Sequence, residues 1–357
     1  MSRTLKTVIK IVAIVLLSLI MLFTAYFAYV FIAFHRIGDR SLDASGSSSS
    51  TIYRNNEYTL VSYNIGFGAY EDDYGFFMDG GTQSWAWSKD RLDANLTKIA
   101  SLLKDQNADL YFVQEVDIDS TRSYHVDERK YLTSVLSGKS YVFAQNFDSP
   151  FLFYPFFQPH GIAKSGVMTF SSFPVTSARR VELPIEEGIS KLVDLDRCYL
   201  KCRLAMSNNK YLVLYNFHLS AYTTDGTIAN DQLKMVIADM EAEYAAGNYC
   251  IAGGDFNKDI LGDSSVYFGK SDKEYNWAKP IPEGMFDDTH ISIVAPLDED
   301  DPVPTCRNAD SAYHDGQYVL SIDGFMVTDN VKVQSSSVID TKFRYSDHNP
   351  VKLTFKL

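Results

Sequence analysis

The stretch Tyr249-Cys250-Ile251-Ala252-Gly253-Gly254-Asp255-Phe256-Asn257 decides the reading of this chain. Four residues with apolar bulk suit a buried strand, the paired glycines close it in a turn, and an acid and an amide follow at once. A short core strand that ends in polar side chains carries them to one edge of a sheet, where a rigid scaffold presents a site.

The same arrangement recurs along the sequence. Thr59-Leu60-Val61-Ser62-Tyr63 precedes Asn64, and Leu110-Tyr111-Phe112-Val113 precedes Gln114-Glu115. The strand from Tyr211 to Phe217 ends in Asn216 and His218. Asp323 lies between Val319-Leu320-Ser321-Ile322 and Phe325-Met326-Val327, and Ser346-Asp347-His348-Asn349 leads into Val351-Lys352-Leu353-Thr354-Phe355. Between these runs, Leu92, Leu96, Ile99 and Leu103 share one helical face, as do Ala229, Leu233, Val236, Ile237, Met240 and Tyr244. Strands alternating with amphipathic helices predict a mixed α/β domain with central sheets. A lone aspartate or histidine at a strand end is ordinarily a turn former or a structural residue; six coincidences point to convergence on one site.

The N-terminus has a different character. Arg3, Lys6 and Lys10 are basic, and residues 7–34 are otherwise apolar, long enough for a membrane anchor, which needs roughly 20 helical residues. A cleaved signal peptide has a shorter apolar region and a small-residue cleavage site, neither of which is evident here. Three cations before the span against Arg36 and Arg40 after it, offset by Asp39, favour a cytoplasmic N-terminus, a single-pass arrangement and an extracellular domain. Residues 35–52, with Ser45-Gly46-Ser47-Ser48-Ser49-Ser50, read as a flexible tether. With no second linker and no repeat, residues 53–357 form one domain.

The formal net charge is −12, and setting aside the three N-terminal cations leaves −15. Such acidity disfavours nucleic acid as a partner, because affinity for a polyphosphate comes from lysines and arginines that displace counterions. Cys198, Cys202, Cys250 and Cys306 permit disulfides in an oxidising compartment or stand as buried thiols; Cys198 and Cys202 fall on one strand face, too far apart to bridge each other.

These residues resemble the endonuclease/exonuclease/phosphatase superfamily. The matching segments are Ser62-Tyr63-Asn64-Ile65, Val113-Gln114-Glu115, Ser165 through Val175, Tyr215-Asn216-Phe217-His218-Leu219, Gly254-Asp255-Phe256-Asn257, Ser321-Ile322-Asp323 and Tyr345 through Val351, in the family's order. The resemblance implies a four-layer α/β sandwich, two facing mixed sheets flanked by helices, with the site at one end.

Phosphoester hydrolysis needs charge neutralisation on the phosphoryl oxygens, an activated water and a proton for the leaving oxygen. Hard oxygen donors suit Mg²⁺, with Mn²⁺ as an alternative. On this resemblance Glu115 is the principal metal ligand, Asn64 supports it and Asp347 offers a second carboxylate. Asp255 orients or deprotonates the attacking water, Asn257 hydrogen-bonds the phosphoryl group, and His348, held by Asp323, lies near the scissile phosphate. His218 approaches the phosphate or leaving oxygen from the other side. His35, His125, His160, His290 and His314 match no motif and read as structural or surface residues.

Two aromatic segments stand apart: Ala69 to Trp87 and Phe147 to His160. Such side chains cap a core, stack on bases or sugars, or enter a bilayer. The reading that follows is a metal-dependent phosphodiesterase or phosphomonoesterase at the outer membrane face, acting on a small or lipid-linked phosphoester. A membrane-anchored extracellular nuclease is the alternative, and an inactive binding protein on the same fold a third.

Overall fold

The computed structural model describes residues 2–188, 190–192, 194–221, 227–269 and 277–357. Its elements run α1 (Arg3–Ala33), β1 (Arg40–Leu42), β2 (Glu57–Asn64), α2 (Lys89–Asp105), β3 (Leu110–Asp117), α3 (Arg129–Val135), β4 (Ser140–Leu152) and β5 (Gly161–Ser171). Then follow β6 (Val175–Glu182), β7 (Cys198–Ala205), β8 (Tyr211–His218), α4 (Thr227–Ala245), β9 (Tyr249–Asp255), α5 (Ser265–Phe268) and β10 (Ile291–Val294). The chain closes with β11 (Cys306–Arg307), β12 (Val319–Leu320), β13 (Asp323–Thr328), β14 (Lys332–Val338) and β15 (Val351–Lys356).

Two mixed sheets face each other. One has the order β1-β6-β7-β8-β9-β13-β10, the other β14-β15-β2-β3-β5-β4. The pairs β2–β3 and β8–β9 are parallel and the remaining neighbours antiparallel. The period of two in a strand explains the layering. Leu60, Phe112 and Leu214 enter the core between the sheets, while their chain neighbours Val61, Val113 and Tyr215 point outward beneath helices. Leu92, Leu96, Ile99 and Leu103 of α2 cover the second sheet, and Leu233, Val236 and Met240 of α4 cover the first. The result is the expected four-layer sandwich. α1 stands outside it, long and apolar enough to cross a membrane.

Two expectations from sequence are corrected. Gly253 and Gly254 do not form a turn; both lie within β9. The reason is steric: a Cβ on Gly254, whose φ is +136°, would meet Phe217 O at 2.0 Å. The glycines let β8, β9 and β13 approach closely at the end where polar residues gather.

The segment 35–52 is not a free tether in this fold. Residues 40–42 pair with β6, Ser45 bridges Tyr141, and Ile52 is fully buried. Arg36 pairs with Asp196 and with Glu182, and buried Arg180 donates to the carbonyls of Ile37, Gln145 and Asp196. The serines bury little on their own account, but Tyr141 captures the backbone of Ser45, Ser140 meets the Ser48 hydroxyl, and Arg180 holds the carbonyl of Ile37 ahead of them.

Candidate active site

Parallel register brings the polar strand ends together. Asn64 lies opposite Gln114 across β2–β3, and His218 opposite Asp255 across β8–β9, with Asp323 opposite Asp255 on the other side. β15 runs back from the same end, so His348 and Asp347 arrive just before it. All eight residues proposed from sequence therefore sit at one end of the sandwich.

Glu115 owes its direction to the backbone. Pairing between β3 and β5 shifts between Val113 and Val116, and within that bulge Glu115 takes φ +56°. A bulge re-aims a side chain, and here it turns the carboxylate towards the gap between the sheets. The Asn64 amide nitrogen uses its two hydrogens on Glu115 Oε1, at 3.1 Å, and Asp255 Oδ2, at 3.0 Å, while Asn64 Oδ1 accepts from Gly66 N at 3.0 Å. In this orientation Asn64 positions two carboxylates; direct ligation by its oxygen would require the amide to rotate.

His348 Nδ1 is 2.8 Å from Asp323 Oδ2, and its Nε2 is 3.7 Å from Asp255 Oδ2. Burial opposes charge on the imidazole, but the negative charge of Asp323 outweighs it and raises the His348 pKa well above the ordinary histidine value. Burial, reinforced by Asp323 and opposed by His348, pushes Asp255 up to about 7. Asn257 N donates to Asp255 Oδ1 at 2.8 Å and fixes that carboxylate; Asn257 Nδ2 donates to Leu219 O at 2.8 Å and keeps a second hydrogen to offer.

His218 has the opposite character. Its Nε2 is 3.5 Å from Asp255 Oδ2 and its Nδ1 is 4.0 Å from Glu115 Oε1. Burial, then the charge of Arg197, depresses its pKa well below the ordinary value, so the ring is neutral. The site thus holds one charged and one neutral imidazole around a single carboxylate.

Asp347 is half-buried and pushed up to about 7 by burial, with the nearby charge of Glu115 adding to the shift against that of His348. Two carboxylates that repel each other form a hard-oxygen pair of the kind a divalent cation neutralises. Asp255, Asp323 and His348 form a second grouping, with one ligand atom from each within 4.8 Å. A cation there would compete with the proton that Asp323 holds on His348, whereas Glu115 and Asp347 present no such conflict.

Several site-building residues had no separate role in the sequence reading. Gln114 Nε2 donates to Asn216 Oδ1 at 2.8 Å, joining the two sheets, and Asn216 Nδ2 donates to Met168 O at 2.9 Å. Buried Arg197 donates to His218 O and Leu219 O, behind the neutral imidazole. Asn95 of α2 donates to Gly68 O and Tyr345 O, tying the loop after β2 to the loop that carries Asp347. All four cysteines are free and buried, and Cys306 Sγ lies 3.7 Å from His348 Nε2. Only the strand-end positions of Gln114, beside Glu115, and of Asn216, beside His218, hinted at any of these roles.

Comparison with solved structures returns the same architecture. An endonuclease/exonuclease/phosphatase from Beutenbergia cavernae DSM 12333 is 16% identical with a TM-score of 0.60, over 85% of this chain and 72% of that one. ANGEL2, described as a 2',3'-cyclic phosphatase, in complex with adenosine-2',3'-vanadate, is 17% identical with a TM-score of 0.55, over 88% and 98%. An endonuclease/exonuclease/phosphatase from Bacteroides vulgatus is 15% identical with a TM-score of 0.53, over 85% and 100%. No curated protein sequence matches the chain. At these identities the structures establish a shared fold. The model of the Endonuclease/Exonuclease/phosphatase family matches residues 61–348, most of the chain, which therefore belongs to that family of phosphoester hydrolases.

Proposed function

We propose that the protein is a Mg²⁺-dependent hydrolase of a phosphodiester or phosphomonoester, anchored by α1 with its domain at the outer membrane face. The observation that carries this reading is the convergence at one sheet end of Glu115 and Asp255, both bonded to Asn64, with His348 held by Asp323 and His218 within 3.5 Å of Asp255. Those are the parts that water attack on phosphorus requires.

Glu115 and Asp347 would hold the cation, with Asn64 positioning Glu115; Mn²⁺ fits the same oxygen donors. When bound, the metal supplies charge neutralisation at the phosphoryl oxygens. Asp255, fixed by Asn64 and Asn257, orients the attacking water and takes its proton, which a carboxylate with a pKa near 7 does effectively at neutral pH. His348, kept protonated by Asp323, stabilises charge developing on the phosphoryl group. Neutral His218 and the spare Asn257 hydrogen approach the same group from the β8 side. The acidic chain, at −12, weighs against the nuclease reading.

The test uses the full chain in detergent micelles with four probes: bis(p-nitrophenyl) phosphate, p-nitrophenyl phosphate, plasmid DNA and vesicle-borne phospholipid. Hydrolysis of at least one small ester that Mg²⁺ supports and a chelator abolishes is the expected result. Turnover that survives complete chelation overturns the metal mechanism, and rapid plasmid cleavage without small-ester turnover replaces this reading with the nuclease.

A further inference from the structure

The chain enters the domain at the end that holds the site. β1 runs antiparallel to β6 with Arg40 opposite Arg180 and Leu42 opposite Ala178. β6 ends at Glu182, opposite Cys198 at the start of β7, and Tyr199 lies opposite Phe217, next to His218. Moving from α1 into β1 is therefore moving away from the site end, so that end lies nearest the anchor.

The other sheet gives the same answer independently. β4 and β5 continue past the level of Glu115 through the pairs Asp148–Lys164 and Ser149–Ala163 to Leu152–Gly161. Their tip projects beyond the site and meets α1. Tyr26 Oη donates to Phe151 O at 3.1 Å, Phe151 N donates to Tyr29 Oη at 3.0 Å, and the Tyr26 and Phe153 rings meet edge to face at 4.5 Å.

Depth follows from helix geometry. Counting roughly 20 residues from Lys10 places the far edge of the hydrocarbon near residue 30. Tyr26 is then about 6 Å inside that edge, at 1.5 Å per residue. A hairpin tip bonded to Tyr26 is at the same depth, and its side chains suit that environment: Phe156 and Phe157 are 66% and 105% exposed, with Tyr154 at 58%. Aromatic side chains in this number are out of place in water and at home at a membrane interface. The other aromatic segment braces the tip, for Trp85 Nε1 donates to Pro159 O at 2.7 Å and Phe77 meets Tyr154.

We infer that the β4–β5 tip is a second membrane-inserting element beside α1, and that the site faces the bilayer and takes a phosphoester headgroup borne by a lipid of that bilayer. This rests on the proposed function for its chemistry and on geometry alone for its orientation. The experiment separates the two. The full chain, reconstituted into phosphatidylcholine vesicles, carries a nitroxide on Phe157→Cys or on Asn208→Cys, in the β7–β8 turn at the opposite end; the four native cysteines are buried and escape labelling. Collision rates with oxygen exceeding those with a water-soluble nickel chelate at 157, and the reverse at 208, are expected. A label at 157 as water-accessible as that at 208 overturns the orientation, whatever the enzyme hydrolyses.

For the substrate, Phe156→Ser combined with Phe157→Ser should lower turnover of tail-labelled phosphatidylglycerol and phosphatidylcholine in the vesicles at least tenfold. Turnover of bis(p-nitrophenyl) phosphate should not change. Wild-type protein that hydrolyses the soluble ester but neither lipid overturns the lipid substrate while leaving the phosphoesterase standing. Absence of all hydrolysis refutes the proposed function itself, and the labels still decide the orientation.

Discussion

Gln114 and Asn216 are bonded to each other across the interior, Nε2 to Oδ1 at 2.8 Å, although one belongs to β3 and the other to β8 in the facing sheet. Asn216→Leu removes that acceptor and also the donor to Met168 O. A buried group left without its partner costs about 1–3 kcal/mol. Urea denaturation should show a loss of that order, with a further fall in activity because the two sheet ends are no longer held in register.

Asp323→Asn removes the charge that keeps His348 protonated. The imidazole stays in place, but its pKa falls. The expected result is a drop in kcat of about a hundredfold, within the usual range for a lost acid–base group, with KM little changed. The alkaline limb of the pH–rate profile should also move to lower pH. A profile that keeps its shape would show that His348 does not act in its charged form.

Glu115 provides a test in which stability and function move in opposite directions. Its φ of +56° suits glycine, and relief of that conformation is worth about 1 kcal/mol. Glu115→Gly should raise the thermal midpoint by roughly 2 °C while abolishing Mn²⁺ binding measured by electron paramagnetic resonance. Glu115→Ala should lose the ion without the backbone relief. Retained Mn²⁺ affinity in both would move the metal to the Asp255–Asp323–His348 grouping.

His160 gives the fold an acid-sensitive element. Burial, then the charge of Arg122, lowers its pKa to about 3 from an ordinary 6.5. Between those values the unfolded chain binds a proton that the folded chain does not, so stability falls as pH drops from 6.5 towards 3. The slope is at most about 1.4 kcal/mol per pH unit. His160→Phe keeps the contacts with Phe76 and Phe77 and should flatten that dependence, read as the urea midpoint between pH 6.5 and 4.

The strand ends were legible only as a set: one apolar run followed by Asn64, Glu115 or Asp255 is ordinarily a turn, but six such runs in one chain converge on a site. The α2 face was legible because Leu92, Leu96, Ile99 and Leu103 repeat at the helical period and are all buried. Gly253-Gly254 misled because paired glycines announce a turn in sequence, whereas here they answer a steric demand from Phe217, a strand away. Arg197 left no trace: its role consists of two carbonyls beyond the β7–β8 hairpin. The first aromatic segment proved to be mostly core, with Tyr70, Tyr74 and Phe76 buried, and no local pattern separates that outcome from the exposed Phe156 and Phe157.

The docked segment after α1 has a bearing on how the domain can be separated from that helix. A protease cutting within residues 37–42 would strip the edge strand from one sheet and leave the guanidinium of Arg180 in the interior without the carbonyls of Ile37 and Gly38. A cut before Phe34 would spare both. Release of an intact domain from α1 is therefore confined to a few peptide bonds at the helix end, where Phe31 and Ile32 are exposed.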